Sequence, residues 1–248
     1  MNHPGLFVGL IPDKNRTWTK EHFRTDKPTL EQYLEGYFKG SERVKAVITA
    51  SREMCFGIIA PWGLSTDNMD NRDPKEKEIL YFVFDHYLKD LRDNFMHRPE
   101  NKNVRFVHMG RRDRLGEEAP KIVELIDEIT NDTRERTGMV VAVALDYGGL
   151  DEQDRALKLW LDAGCPNGIE GIKNFLDLPQ QGIDFRPVDL IVRTGHKSGT
   201  PTRSNEYLYP YLKETRVINR LEFLPDYTKD MFHDDLTTFG DESQNRGS

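Results

Sequence analysis

The chain has 248 residues, 37% of them hydrophobic and 31% charged, with a net charge of −7. That length can bury a core without staples, no apolar run approaches the ~20 residues of a membrane span, and the negative balance excludes the broad basic face of a nucleic-acid binder. Two cysteines, Cys55 and Cys165, without ligand-like spacing exclude a disulfide framework or a zinc site, and MNHPGLFVGL has no basic region ahead of its apolar stretch, as in a cytoplasmic protein.

GLFVGLI (5–11) is a near-continuous apolar run, the pattern of a strand covered on both faces. It runs into Asp13, then a short polar turn holding Lys14, Asn15 and Arg16. Residues 41–54 fit a helix. FGIIA (56–60) is a second buried strand, followed by Ser65, Thr66, Asp67, Asn68 and Arg72. Asp73 and Pro74 mark the start of a long helix reaching about Met96. VRFVHM (104–109) alternates as a third strand. Residues 118–136 set Ile122, Leu125, Ile126 and Ile129 on one helical face. MVVAVAL (139–145) ends at Asp146, Tyr147, Gly148 and Gly149, before a helix over 150–163 and a short one over 168–177. VDLIV (188–192) ends at Arg193, Thr194 and Gly195, with Lys197, Arg203 and Ser204 soon after. RVINRLEF (216–223) is a sixth strand, and a helix fits 228–239. Strands alternating with helices predict an α/β fold, a single mostly parallel six-stranded sheet surrounded by helices. One domain spans 1–240, and 241–248 form a loose tail.

Ligands of a parallel sheet bind beyond the carboxyl ends of its strands. Four such ends bring an Asp, polar side chains and several cations to one edge. Arginine forks match phosphate oxygens, and magnesium needs only one or two protein carboxylates when phosphate and water complete its shell. The set therefore suits a metal-bound diphosphate. Taken singly, an arginine reads more readily as an ordinary strand-end residue, solvated or paired with Asp67 or Glu214; the whole set at four strand ends favours the diphosphate site. The phosphate loop G-x-x-x-x-G-K-[ST] and the hydrolase elbow G-x-S-x-G are both absent.

Seven blocks in order, LIPDKNRTW (10–18), STDNMDNR (65–72), MGRRDRL (109–115), ALDYGG (144–149), VDLIVRTG (188–195), RSN (203–205) with Glu214, and LPDYT (224–228), resemble the cis-prenyltransferases, the undecaprenyl diphosphate synthase family. The resemblance implies a homodimer acting on isoprenoid diphosphates. It further implies magnesium-dependent condensation of isopentenyl diphosphate with an allylic diphosphate to a (Z)-prenyl diphosphate. No nucleic acid enters this picture, and membrane contact is at most peripheral, through a lipidic product. By position, Asp13 would hold magnesium and the allylic diphosphate, with Asn15 beside it, and Glu214 would assist with the metal. Arg72, Arg193, Arg203 and Ser204 would bind isopentenyl diphosphate, and Ser65 and Asn68 would lie near the reacting carbons. The helix 74–96 would supply a dry wall, with Phe82 and Phe84 suited to a short product.

The departures cluster on the allylic side. Lys14 replaces the family's glycine, Thr17 its Arg, Met69 its Trp, and Tyr33 stands where its His would be. Three readings follow: a regular cis-prenyltransferase in which Lys14, Arg16 and Lys197 replace lost donors; a divergent terpene synthase or irregular prenyl-coupling enzyme; or a non-catalytic partner subunit.

Overall fold

The computed structural model describes residues 5–197 and 207–245. Among them six strands form: β1 (Phe7–Ile11), β2 (Ile58–Ser65), β3 (Arg105–Met109), β4 (Val140–Tyr147), β5 (Leu190–Arg193) and β6 (Arg216–Asn219). They make one sheet in the order β3-β4-β2-β1-β5-β6, and every pairing is parallel. Parallel neighbours need crossovers, and helices supply them. These are α1 (Asn15–His22), α2 (Leu30–Glu53), α3 (Thr66–Asn71), α4 (Pro74–Asp90), α5 (Arg112–Glu118), α6 (Pro120–Thr133), α7 (Gly149–Asp162), α8 (Asp177–Gln180) and α9 (Lys229–Asn245).

Alternation along β1 divides the core. Val8 and Leu10 join Val47 and Ile48 of α2, Leu88 of α4, Ile126 of α6 and Phe232 of α9. Phe7 and Ile11 join Ala156 of α7, Leu178 of α8 and Tyr211 on the opposite face. Burial on both faces explains the continuous apolar runs.

Several boundaries differ from the sequence reading, each for a local reason. The polar turn after Asp13 is helix α1. Helix α2 starts at Leu30 rather than residue 41, because Thr29 and Gln32 form a reciprocal capping box: Gln32 N–H donates to Thr29 Oγ1 (3.3 Å) and Thr29 N–H to Gln32 Oε1 (2.9 Å). Gly36 and Gly40, which weaken a helix intrinsically, let α1 approach. A Cβ on Gly40 would lie 3.1 Å from Asn15 Cγ and 3.0 Å from Leu224 Cδ2. Strand β2 continues past Pro61 to Ser65 through register shifts between Trp62, Leu64 and Ser65, the kind of irregularity at which a strand admits proline. The tail expected from residue 241 is instead the end of α9, which runs to Asn245; residues 246–248 lie outside the described residues.

The α7 face encloses a second polar centre. Glu152 is fully buried and accepts from Tyr147 Oη (2.6 Å), Tyr211 Oη (2.7 Å) and Asp177 N–H (2.8 Å). Burial, reinforced by the Asp177 carboxylate, pushes Glu152 up to about 7. Asp177 is held by Arg155 (2.7 and 3.0 Å) and by Gly110 N–H (2.8 Å). Nearby His108 is buried with Nε2 3.0 Å from Leu145 O, and burial drives it down to about 4.

Candidate active site

The chain leaves β1 for β2 on one side and returns as β5 on the other, so the strand order reverses between β1 and β5. Open α/β sheets bind ligands at such a switch point. Asp13 follows β1 and Arg193 closes β5 at this position. Asp13 Oδ2 accepts from Arg193 Nε (2.9 Å) and Nη2 (2.8 Å). The Asp13 backbone is pinned as well: its N–H donates to buried Thr194 Oγ1 (3.0 Å), and its carbonyl accepts Leu224 N–H (3.2 Å). The carboxylate side chain nevertheless keeps 36% exposure, so a ligand can reach it.

Lys14 adopts φ 77°, the left-handed conformation that glycine takes without cost. The replacement for the family's glycine has therefore kept the turn. Gly195 makes space for it, since a Cβ there would lie 2.8 Å from Lys14 Cβ. Helix α1 begins at Asn15 with no side chain capping it, which leaves its first amides for an anion. Arg16 reaches away to α4, where its Nη1 donates to both carboxylate oxygens of Glu76 at 2.9 Å.

The end of β2 supplies the neighbouring wall. Ser65 Oγ accepts Asn68 N–H (3.1 Å) and starts α3; Asn68 Oδ1 then accepts Arg72 Nε (2.9 Å). Asn68 thus orients the guanidinium. Arg72 Nη1 and Asn15 Oδ1 are buried without a hydrogen-bond partner. Orphaned polar atoms of this kind are costly unless a ligand or water meets them. Arg114 anchors α3 from below, donating Nε to Asp146 Oδ2 (2.7 Å) and pairing Nη1 with Asp70 (2.5 Å).

Between α2, α4 and the sheet lies a cavity of about 90 Å³, reached past Pro12 and Asn15 and walled by Val44, Leu80, Val83, Phe84 and Leu145. Tyr37 lines it too, although sequence reasoning had pointed to Tyr33, one turn earlier. Burial raises the Tyr37 phenol, while the charges of Arg72 and Arg16 pull it back. Its setting between Gly36 and Gly40 in α2 is the signal that marks it. Phe84 lines the cavity, whereas Phe82 points outward with 55% exposure.

The structure brings together Asp13, Lys14, Asn15 and Arg193, and sets Ser65, Asn68 and Arg72 beside them on the adjacent strand end. Lys197 follows β5 and is exposed. Arg203 and Ser204 lie outside the described residues. Glu214 is not brought to this edge. It precedes β6, whose first residue, Arg216, is level with Leu190, so it sits at the amino end of the sheet while Asp13 is at the carboxyl end. No group of three or more His, Cys, Asp or Glu capable of holding a metal occurs among the described residues. One carboxylate suffices for magnesium when diphosphate and water fill the shell, so the donors present fit a metal–diphosphate and not a protein-caged ion.

Residues 11–247 match the family described as "Putative undecaprenyl diphosphate synthase". The chain belongs to this prenyltransferase family. It is similar to a tritrans,polycis-undecaprenyl-diphosphate synthase (geranylgeranyl-diphosphate specific) of Pyrobaculum aerophilum, with 31% identity over 211 residues, 82% of this chain and 79% of that protein. It also resembles an isoprenyl transferase of Aquifex aeolicus, with 27% identity over 227 residues, 91% of this chain and 88% of the other. The solved lavandulyl diphosphate synthase of Lavandula x intermedia shares the fold, with a TM-score of 0.79 at 19% identity over 94% of this chain and 93% of that one. No described helix is long and apolar enough to cross a membrane.

Proposed function

We propose that the chain transfers a prenyl group from an allylic diphosphate to isopentenyl diphosphate, with Asp13 holding the donor's diphosphate through magnesium. The observation that carries this is the Asp13–Arg193 clamp at the β1/β5 switch point, close to a largely apolar cavity lined in part by Asn15, whose buried Oδ1 has no partner. The allylic C–O bond breaks and its electron pair leaves with the diphosphate. The alkene carbon of isopentenyl diphosphate forms the new C–C bond, and a proton is lost to give the (Z)-alkene. Magnesium, when bound, neutralises charge growing on the leaving oxygens. Lys14 and the open amides of α1 meet the same oxygens from donors fixed in advance, where preorganisation counts most. Arg72 and Arg193, with Arg203 and Ser204, hold the isopentenyl diphosphate, and Arg16 joins Lys14 on the allylic diphosphate when it exchanges Glu76 for phosphate. Lys197 belongs to the same cationic rim. The walls of Leu80, Val83 and Leu145 exclude water from the reacting carbons. A second copy of the chain as partner and a cytoplasmic site of action are part of the same reading.

The altered allylic side, with Lys14, Thr17 and Met69, favours a second reading. In it the chain couples or cyclises allylic units without isopentenyl diphosphate, as a divergent terpene synthase would. Mass spectrometry of products from dimethylallyl, geranyl and farnesyl diphosphate, each with and without isopentenyl diphosphate, separates the two. The first reading predicts products lengthened only when isopentenyl diphosphate is present. Branched or cyclic products without it support the second. Pyrophosphate release from no donor would contradict both and leave a non-catalytic partner.

A further inference from the structure

We infer that the pocket behind Asp13 admits a single five-carbon prenyl unit, so that dimethylallyl diphosphate is the donor and products stop at ten carbons. This rests on the prenyl-transfer reading and narrows its substrate. It also sets the chain apart from its relatives named for undecaprenyl products.

The cavity measures about 90 Å³. A cavity of ~150 Å³ seats the six carbons of benzene, so a five-carbon tail already fills this one. Phe84 decides its depth. The ring crosses from α4 to β2, where a Cβ on Gly63 would lie only 3.0 Å from its Cε1, so no passage remains between ring and strand. Leu88 on the cavity wall, and Ile48 and Leu91 in the same core cluster, have no exposure and fill the space between helices and sheet. Cores at this density do not part for a chain without repacking.

The flank between α2 and α4 is closed by charge rather than bulk. Lys45 of α2 pairs with Asp90 at the end of α4 (2.8 Å) and with Glu42. Asn94 donates to the other oxygen of Asp90 (2.8 Å). Tyr87 stands between this clamp and the cavity, its hydroxyl buried without a partner and its phenol raised by burial and by Asp90 and Glu42. A hydrocarbon extended past Tyr87 would have to displace paired charges, which is unfavourable because each would be left desolvated and alone. Packed rings ahead and an ion clamp to the side therefore stop the chain in the two directions open to it.

The test measures binding of non-ionising thiolo-diphosphate analogues of the dimethylallyl, geranyl and farnesyl donors with magnesium, by calorimetry, alongside product sizing. The wild type is expected to bind the dimethylallyl analogue at least about tenfold more tightly than the farnesyl one, the scale set by misfit of a methylene or more. Phe84→Ala should reverse that order and lengthen products. Phe84→Leu, a milder truncation, should shift it the same way if the alanine variant folds poorly. Phe82→Ala, on the outer face, should leave the order unchanged. Equal binding of all three analogues by the wild type, or an unchanged order in both folded Phe84 variants, overturns the inference. Binding of none of the three overturns the prenyl-transfer reading and the inference with it.

Discussion

Asp13 and Asp146 each follow or close a strand in the middle of the same sheet, and each has an arginine on its carboxylate, yet the two regions differ in what remains available. Asp146 has no exposure, and Arg114 occupies both its oxygens. Asp13 keeps one face open, and its surroundings include the uncapped start of α1 and two buried atoms without partners. The closed pair ties α3 to β4 and so places Asn68 and Arg72. The open pair is where a ligand completes the structure. A strand-end aspartate next to an arginine is therefore a site only where the pair is left unfinished.

The contrast breaks if the closed pair proves dispensable. Asp146→Ala leaves the mostly buried Arg114 only its exposed partner Asp70 and should cost about 1–3 kcal/mol of stability in urea unfolding. Asp13→Ala, at a partly exposed pair, should cost about 1 kcal/mol or less. Equal losses would erase the distinction.

The closed side has a second, pH-dependent signature. Glu152 is raised from its ordinary 4.5 to about 7, so the stability it gives as a neutral acid is present below pH 4.5 and is lost as pH climbs toward 7. His108 is lowered from 6.5 to about 4, so its share is present above 6.5 and is lost as pH falls toward 4. Between about pH 4.5 and 6.5 the two slopes oppose each other. Glu152→Gln removes one of them. Its stability should then rise with pH across that window more steeply than the wild type's, by up to ~1.4 kcal/mol per unit. An unchanged slope would place the Glu152 titration elsewhere.

The smallest effect sharpens the open side. Lys14→Gly relieves a left-handed lysine and should raise stability by up to ~1 kcal/mol, while removing a cation from the mouth. Thermal unfolding should move up as KM for the allylic diphosphate rises. A gain in stability with unchanged KM would make Lys14 a turn residue only.

Much of this was legible from the chain. Four of the six strands announced themselves because burial on both faces leaves near-continuous apolar runs, while β3 showed an alternating pattern and the half-buried β6 a mixed one; Asp13 with Arg193 followed from where the runs of β1 and β5 stop. What escaped was set by contacts between distant segments. The first half of α2 was hidden by Gly36 and Gly40, which serve the approach of α1 rather than breaking the helix, and Tyr37 was lost with it. The continuation of β2 was hidden by Pro61, acceptable only because the register shifts nearby. Arg16 pairs with Glu76 sixty residues away, and Glu214 falls at the amino end of the sheet because it precedes β6, which starts at Arg216 as its pattern suggested and runs parallel to β5. Sequence order could not distinguish the finished Asp146 pair from the unfinished Asp13 pair.

Pyrophosphate release from dimethylallyl diphosphate by Asp13→Asn, a variant that keeps shape and removes charge, tests the central claim most directly. With magnesium and isopentenyl diphosphate present, the rate should fall by about 10²–10³ relative to the wild type while the melting temperature stays close to it. A variant that releases pyrophosphate at the wild-type rate would contradict the account, because the carboxylate between β1 and β5 would then take no part in the departure of the diphosphate.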